Sequence, residues 1–576
     1  MLTLIALLAC KGGEITAPID TYPDVVVDTQ PWHETGLDDS ADDSADDSAD
    51  DTGDTGETLD ALSLVVNPST LLLDPGTSMP LRSTLLLSSG ERVNVTPTFT
   101  SSDLSIVEVD AQGVLYAVAA GSATVTAVSE GQSAEVRVEV QASPMLYFTV
   151  VDAETGVPLV GATVAVGSAQ AVTDSAGTAS LTVGVGDAVD VTAWAADEAY
   201  ISGTFFDVLA RRVVLPLRLR SMEDIAPAEI SGDVDFSAAA TPDWDERSVG
   251  LAGTTLQRSP LLLDAGQLLS PVRTINFYGL ELEIPANIVV ADVATDWAAR
   301  AWDGPVGAWA FGGPVPIDEL TATLSQPGGG LGAFANHLDG FSYGCASGLV
   351  ANSTAPLSQD IALTAGFDET VLVEIPQLPD GFTGGEQALL IVLDDADEAG
   401  WAVAGLGLGG PGELTVRRAP EGGCGWSGAP QVLAYAEVGG IGSGEGRVLT
   451  MTPVVDGVTA IPEWMSPPSV PTLTASTRIF EIDSDPRAVL VHAYVLAGDG
   501  SDRDLWLNGS DQTQAMPEVG PSIGLGRSTW SLLAVETLES TYDSLLIDGA
   551  IRHSELAGQA LSTAGWRQVV RGGSGG

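Results

Sequence analysis

Glu135-Val-Arg-Val-Glu-Val140 decides the fold class. Three valines alternate with three charged residues at a period of two. A β-strand sends successive side chains to opposite faces, so this stretch buries one face and wets the other. Working outward, short apolar runs separated by turn residues recur on its N-terminal side: Leu62–Val66, Leu71–Leu73, Leu81–Leu87, Val93–Thr100, Val107–Val109, Val114–Val118 and Ala123–Val128. With Ala134–Val140 itself, so many short strands within so short a segment predict a β-sandwich. Gly113 and Gly121 punctuate it where a turn needs a backbone conformation that glycine adopts at little cost.

Within that sandwich, Thr98-Phe-Thr-Ser-Ser-Asp103, Ile106-Val-Glu-Val-Asp110, Gly113-Val-Leu-Tyr-Ala117 and Ala120-Gly-Ser-Ala-Thr-Val-Thr126 form a pattern. Over residues 61–141 it resembles the group 2 bacterial immunoglobulin-like domain, with Phe99 where that family usually has Trp. The resemblance implies a surface-protein or adhesin spacer and carries over no catalytic residues.

A second module follows at 144–220. Val150-Val-Asp-Ala-Glu-Thr-Gly-Val-Pro-Leu-Val-Gly-Ala-Thr-Val164 and Thr173-Asp-Ser-Ala-Gly-Thr178 resemble the carboxypeptidase regulatory-like domain, a transthyretin-like β-sandwich. Gly156-Val-Pro158 reads as a turn, with Pro fixing φ and Gly relieving strain. The resemblance implies architecture, not hydrolysis, since no histidine lies between His33 and His337 to ligate zinc.

Towards the N-terminus the texture is different. Residues 1–9 are an apolar run, and Leu7-Leu8-Ala9-Cys10 resembles the lipobox of bacterial lipoprotein signals. That implies cleavage before Cys10 and acylation there, hence a membrane partner through a lipid anchor and an outer-membrane, surface-exposed location. No apolar run is long enough for a transmembrane helix. Residues 10–60 lack periodicity, and Asp38–Asp51 repeats Asp-Asp-Ser-Ala. Such a segment cannot bury enough apolar area to offset chain entropy, so a disordered acidic tether is expected. A flexible chain of about fifty residues spans roughly 40 Å, and like charges stretch it further.

Composition narrows the chemistry. The formal net charge is −56 over 576 residues, which excludes a nucleic-acid partner for the chain as a whole. Lys11 is the sole lysine, so neither a phosphate-cradling Walker loop nor a Schiff-base enzyme is available. His33, His337, His492 and His553 stand singly, without the spacing of a zinc site.

Residues 221–576 match no family pattern. Strand-like runs at Ile275–Tyr278, Leu280–Ile284, Ala308–Phe311, Thr370–Ile375, Ala388–Leu393, Glu413–Val416, Gln431–Val438, Arg447–Thr452, Ala488–Leu496 and Ser528–Val535 predict a mostly antiparallel β region. Short helices are expected near Ala333–Leu338 and Ser554–Ser562, and a division into subdomains near residue 440. Gly405-Leu-Gly-Leu-Gly-Gly410 matches a dinucleotide fingerprint only formally, because Pro411-Gly412 and a strand-like run follow where a helix must begin. No cofactor is expected. Calcium is the one ion for which candidates exist, and the best spacing is that of Asp499, Asp502 and Asp504 in a Gly-containing loop. Asp243/Asp245/Glu246 and Asp394/Asp395/Asp397/Glu398 are further carboxylate clusters, for which solvated loops are the commoner fate. Trp297, Trp302 and Trp309 would stack sugars if exposed and coplanar, although core packing is the commoner fate of clustered tryptophans. With Cys10 acylated, Cys345 and Cys424 remain as an even pair in an oxidising compartment, which favours a disulfide and places both in one folding unit.

The expectation is therefore an all-β, lipid-anchored envelope protein with an adhesion, scaffold or display role and no catalytic residues. Its ligand would be an envelope protein or a glycan. The alternative is a glycan-binding protein, or a hydrolase using a carboxylate pair within 221–576.

Overall fold

The computed structural model describes residues 61–570 apart from internal stretches, the longest being 258–271, 320–333 and 552–559. The apolar leader, Cys10, the acidic repeat and His553 lie outside the described residues, as does most of the helix expected at 554–562.

The protein is all-β. Residues 61–140 fold as expected from the alternation. Strand Gln132–Val140 buries Val136, Val138 and Val140 and exposes Glu135, Arg137 and Glu139. It pairs antiparallel with Gly121–Ser129, which sets Val136 opposite Val125 and Val138 opposite Ala123. Thr70–Leu73 and Thr98–Ser101 complete this sheet, and Ala61–Asn67, Arg82–Leu87 and Arg92–Asn94 form a second one. Leu64, Leu71, Met79, Leu115, Val125 and Val136 fill the core. Gly113 has φ 83°, and a Cβ there would lie 2.9 Å from the Phe99 ring, so backbone conformation and close packing both require glycine.

The second module carries a three-stranded sheet, Thr178–Thr182, Met145–Asp152 and Arg212–Leu217. Facing it are Ala169–Val172, Thr163–Val166, Val189–Trp194 and Gly203–Val208. The turn at Gly156 has φ 70°. Asp152 fixes that turn, its Oδ1 accepting from the backbone N–H groups of Glu154 and Thr155 at 2.9 and 2.7 Å.

The four strands facing the three-stranded sheet do not end there. Gly203–Val208 pairs parallel with Asp502–Asn508, placing Phe205 opposite Trp506, and the sheet runs on to 15 strands. From Asp502–Asn508 it continues through Leu490–Ala497, Ser528–Thr537, Ala560–Val570, Gly446–Pro453, Gln431–Glu437, Ala388–Asp395, Trp401–Gly409, Gly412–Arg418, Glu369–Ile375 and Val458–Ala460. One apolar core accordingly contains Phe148 and Val164 of the second module together with Leu490, Leu545 and Ile551. Residue 220 thus separates segments that share a sheet and a core. The division expected near 440 meets a hairpin instead, since Gln431–Glu437 pairs with Gly446–Pro453 across it. The core strands on either side are buried on both faces, which leaves no seam for a boundary.

Every strand-like run foreseen in 221–576 lies in or overlaps a strand. Ala308–Phe311 is the middle of a longer strand, Gly304–Pro316, and others were hidden in Gly/Ala-rich sequence, notably Ser342–Ala351 and Trp401–Gly409. Gly304–Pro316 and Ser342–Ala351 belong to a five-stranded sheet with Ile288–Val290, Glu246–Thr254 and Ala365–Gly366. The helix expected near Ala333–Leu338 is a single turn at 334–337 running into a 3₁₀ turn, Leu338–Gly340. The described part of Ser554–Ser562 is strand, and a helix instead occupies Tyr542–Ile547. It starts where the Ser544 hydroxyl and the backbone of Thr541 bond each other, at 2.7 and 2.8 Å.

The shared core makes a quantitative prediction. Phe205→Ala, at the joint between module and body, should lower unfolding stability by about 3–5 kcal/mol in denaturant titration. Val172→Ala, on an edge strand with Val172 63% exposed, should stay within about 0.5 kcal/mol.

Candidate functional site

The densest polar constellation is built where the second module meets the C-terminal body. Strand Asp502–Asn508 alternates, so Asp502, Asp504 and Trp506 share one face. Arg218 reaches Asp504 with Nε at 3.2 Å and Nη2 at 2.9 Å, and Arg220 grips Asp502 with two contacts of 2.9 Å. His492 Nε2 lies 2.9 Å from Asp504 Oδ1, and its ring stacks on Trp506 at 4.1 Å. Arg218 also lies over the Tyr494 ring, 5.1 Å from its centre. Burial alone would push the Asp504 carboxyl up. The Arg218 guanidinium and the His492 ring outweigh it and hold that carboxyl well below the usual carboxylate range.

This geometry revises the calcium expectation. Asp502 and Asp504 lie in a strand rather than a loop, and each carboxylate is taken up by an arginine. Asp499 bonds Ser501 within its own turn, at 3.0 Å to the N–H and 2.5 Å to the hydroxyl. The three carboxylates do not converge. Among the described residues no group of three His, Cys, Asp or Glu side chains is placed to hold a metal ion.

The other candidates resolve individually. Trp297 and Trp309 are buried, Trp309 donating to the carbonyl of Thr254 at 2.9 Å and stacking on Phe311. Trp302 is half-buried, so the three tryptophans form no exposed platform. In the turn Asp243–Glu246 the Glu246 carboxylate accepts from the Asp243 N–H at 2.9 Å, and Trp244 at its tip is 89% exposed. Asp394 is buried and meets Arg418 at 3.0 Å. Burial pushes its carboxyl up to about 6, Arg418 pulls it back, and Glu421 and Glu369 add to the rise. Glu398 is exposed. Gly405 and Gly407 lie in a strand, where a Cβ would come within 2.4 Å of the Arg417 carbonyl or 2.8 Å of Val416. The glycine run is a close-packing device between strands.

Two further contacts, not anticipated from sequence, tie segments far apart in the chain. Arg211 and Asp74 form an ion pair buried on both sides, linking the second module to the first. Asp543 accepts from the N–H groups of Leu209 and Ala210 at 3.0 and 3.1 Å. Burial pushes the Asp543 carboxyl up to about 6, those two N–H groups opposing the shift. A cleft of about 480 Å³ lies beside these contacts, lined by Thr70, Arg137, Glu139, Arg211, Arg212 and Ile547. Cys345 and Cys424 form a disulfide with Cα atoms 5.9 Å apart.

Residues 62–140 match the bacterial Ig-like domain (group 2). That segment is a bacterial immunoglobulin-like domain. No curated protein matches the chain. Among solved structures, the S-layer protein SbsC, domains 4 and 5, is 23% identical over 14% of this chain and 53% of its own, with TM-score 0.13. This chain thus spans about half of that structure. SbsC domains 4–9 are 10% identical over 89% of this chain and 82% of their own, with TM-score 0.17. The Bacillus anthracis TIE protein is 11% identical over 69% and 73%, with TM-score 0.13.

The raised Asp543 and Asp394 carboxyls fix a sign. Their folded pKa of about 6 exceeds the unfolded value of about 4, so the folded state binds protons more tightly between those pH values. The stability these two groups supply is greatest below about pH 4 and is lost as pH rises through 6. Asp543→Asn keeps a carbonyl acceptor for Leu209 and Ala210 but removes the charge. Its melting temperature should exceed that of wild type at pH 8 and converge with it near pH 4. A variant less stable than wild type by the same margin at both pH values would contradict this.

The disulfide closes a sequence separation of 79 residues. The chain-entropy relation assigns such a loop about 4 kcal/mol. Cys345→Ser/Cys424→Ser should approach that loss in urea titration, and denatured unreduced protein should yield neither thiol to alkylation.

Proposed function

We propose that this chain is a lipid-anchored, non-enzymatic surface protein of the bacterial envelope, acylated at Cys10 and lifted from the membrane by its acidic tether. In this reading the immunoglobulin-like domain and the second sandwich, with its carboxypeptidase regulatory-like pattern, act as a stiff spacer. The large β body is the part presented to an envelope protein or glycan.

The observation that carries the reading is how the modules are joined. A spacer of independent beads would leave each joint free to bend. Here the buried Asp74–Arg211 pair, the Asp543 clasp on Leu209 and Ala210, and the continuous sheet at Phe205/Trp506 each cross a joint. Breaking a buried ion pair leaves an uncompensated charge, so such a joint resists bending. Asp502 and Asp504, each clasped by an arginine of the second module, also serve a joint, which favours a mechanical role for them over a chemical one. The bacterial Ig-like domain supports a surface location.

Cys10→Ser tests the anchor directly. In cells fed a palmitate analogue, wild type should be labelled, should sediment with membranes, and should be removed by protease added to intact cells. The variant should be unlabelled and soluble. Equal labelling, or membrane retention of the variant, would sink the reading.

A further inference from the structure

In a chain with 22 cationic and 78 acidic residues, three arginines line one cleft of about 480 Å³ between the immunoglobulin-like domain and the second module. One wall is the outward face of strand Gln132–Val140 and its neighbours. Alternation exposes Arg137 and Glu139 on that face. The register sets Arg137 between Thr124 and Thr70, and Glu139 between Ser122 and Leu72. The other wall is Ala210, Arg211 and Arg212, where strand Arg212–Leu217 begins, together with Ile547.

Two of these guanidinium groups are uncommitted. Among the described residues Arg137 makes no side-chain hydrogen bond or ion pair, and Arg212 only lies over the Tyr147 ring, 5.5 Å from its centre. Arg211 directs Nη2 at Asp74 and the Gly184 carbonyl, while its buried Nη1 meets no acceptor. Ser122 and Thr124 add hydroxyls to the wall that carries Arg137. Arg212 and Ile547 also line a second cleft, of about 720 Å³, in which Tyr147 is 40% exposed. A groove therefore continues past Arg212.

Charge and backbone pairing narrow the ligand. At −56 the chain repels a densely charged polymer over long range. Glu139 opposes an anion that offers nothing but acceptors, yet a carboxylate accepts readily from hydroxyl donors. An extended peptide would add to a free backbone edge, whereas Gln132–Val140 is already hydrogen-bonded to a strand on each side. We infer that this cleft is a binding site for a carboxylate-bearing saccharide, a sparsely charged chain rich in hydroxyl donors. Arg137 and Arg212 hold its carboxylate from the two walls, and Glu139, Ser122 and Thr124 take its hydroxyl groups. The volume is within the range that encloses a small ligand. The site adds ligand recognition to two domains that otherwise act as a spacer.

Calorimetric titration of the full chain tests this, with sialyllactose and digalacturonate as acidic sugars, lactose as the neutral one and tri-aspartate as an acidic peptide. At least one acidic sugar should bind, more weakly as salt rises, and lactose and tri-aspartate should not. Arg137 and Arg212 are exposed, so Arg137→Gln and Arg212→Gln should leave the melting temperature unchanged. Each should weaken sugar binding about tenfold, the scale of one lost charge-assisted contact. Glu139→Ala should weaken it too, whereas a ligand held by charge alone would gain from losing a neighbouring carboxylate. Failure of both acidic sugars to bind overturns the proposal, as does lactose binding equal to theirs. Tri-aspartate binding as tightly as the sugars assigns the cleft to an acidic peptide and overturns it as well. Unchanged sugar affinity in both arginine variants puts the binding elsewhere, with the same consequence.

Discussion

The parallel pairing of Gly203–Val208 with Asp502–Asn508 is the contact on which the rest of the molecule depends. It joins two strands some 300 residues apart in the chain, so its closure carries a large entropic cost that local preference cannot offset. Interactions on both faces offset it. On one face Phe205 stacks on Trp506 with ring centres 6.0 Å apart, and Arg218 clasps Asp504. On the other, Phe206, Leu505 and Leu507 enter a common core. Remove this ladder and the second module is left with an open sheet edge at Gly203–Val208. The body would lose the end from which its strand order is counted.

That constraint explains where the charges are. In so acidic a chain, arginine is the scarce residue. Arg211, Arg218, Arg220 and Arg418 are each committed to a carboxylate, and three of the four act at joints between segments. Guanidinium suits this use, because its planar fork holds carboxylates in a fixed direction and stays charged when buried. A lysine would lose its proton more readily under the same burial. Among the described residues Arg503 departs from this pattern, being buried with backbone carbonyls as its acceptors.

The pKa shifts divide along the same line. Asp504 is depressed because the Arg218 guanidinium and the hydrogen-bonded His492 ring outweigh its burial, so its contribution is present above about pH 4 and is lost as pH falls further. Asp394 and Asp543 are raised because burial outweighs their partners. The joints therefore respond to acid in opposite senses, which broadens the pH range over which the fold persists.

The sequence alone was enough for whatever depends on neighbours within a few residues. The alternation at Glu135–Val140, the turns at Gly113 and Gly156, and the immunoglobulin-like pattern over 62–140 are local, since side-chain period and glycine conformation are properties of the chain itself. The proximity of Cys345 and Cys424 was also anticipated, from the cysteine count. What only the tertiary structure decided is which elements are continuous with which. Asp502 and Asp504 read as a calcium loop because Gly498-Asp-Gly500 precedes them, and nothing nearby in sequence announces Arg218 and Arg220. Gly405-Leu-Gly-Leu-Gly409 read as no strand because its reason for glycine, close approach to Val416 and Arg417, lies on another strand. The boundaries drawn at 220 and 440 follow texture along the chain. The sheet crosses both, because backbone hydrogen bonding and apolar burial act between whatever surfaces meet in space.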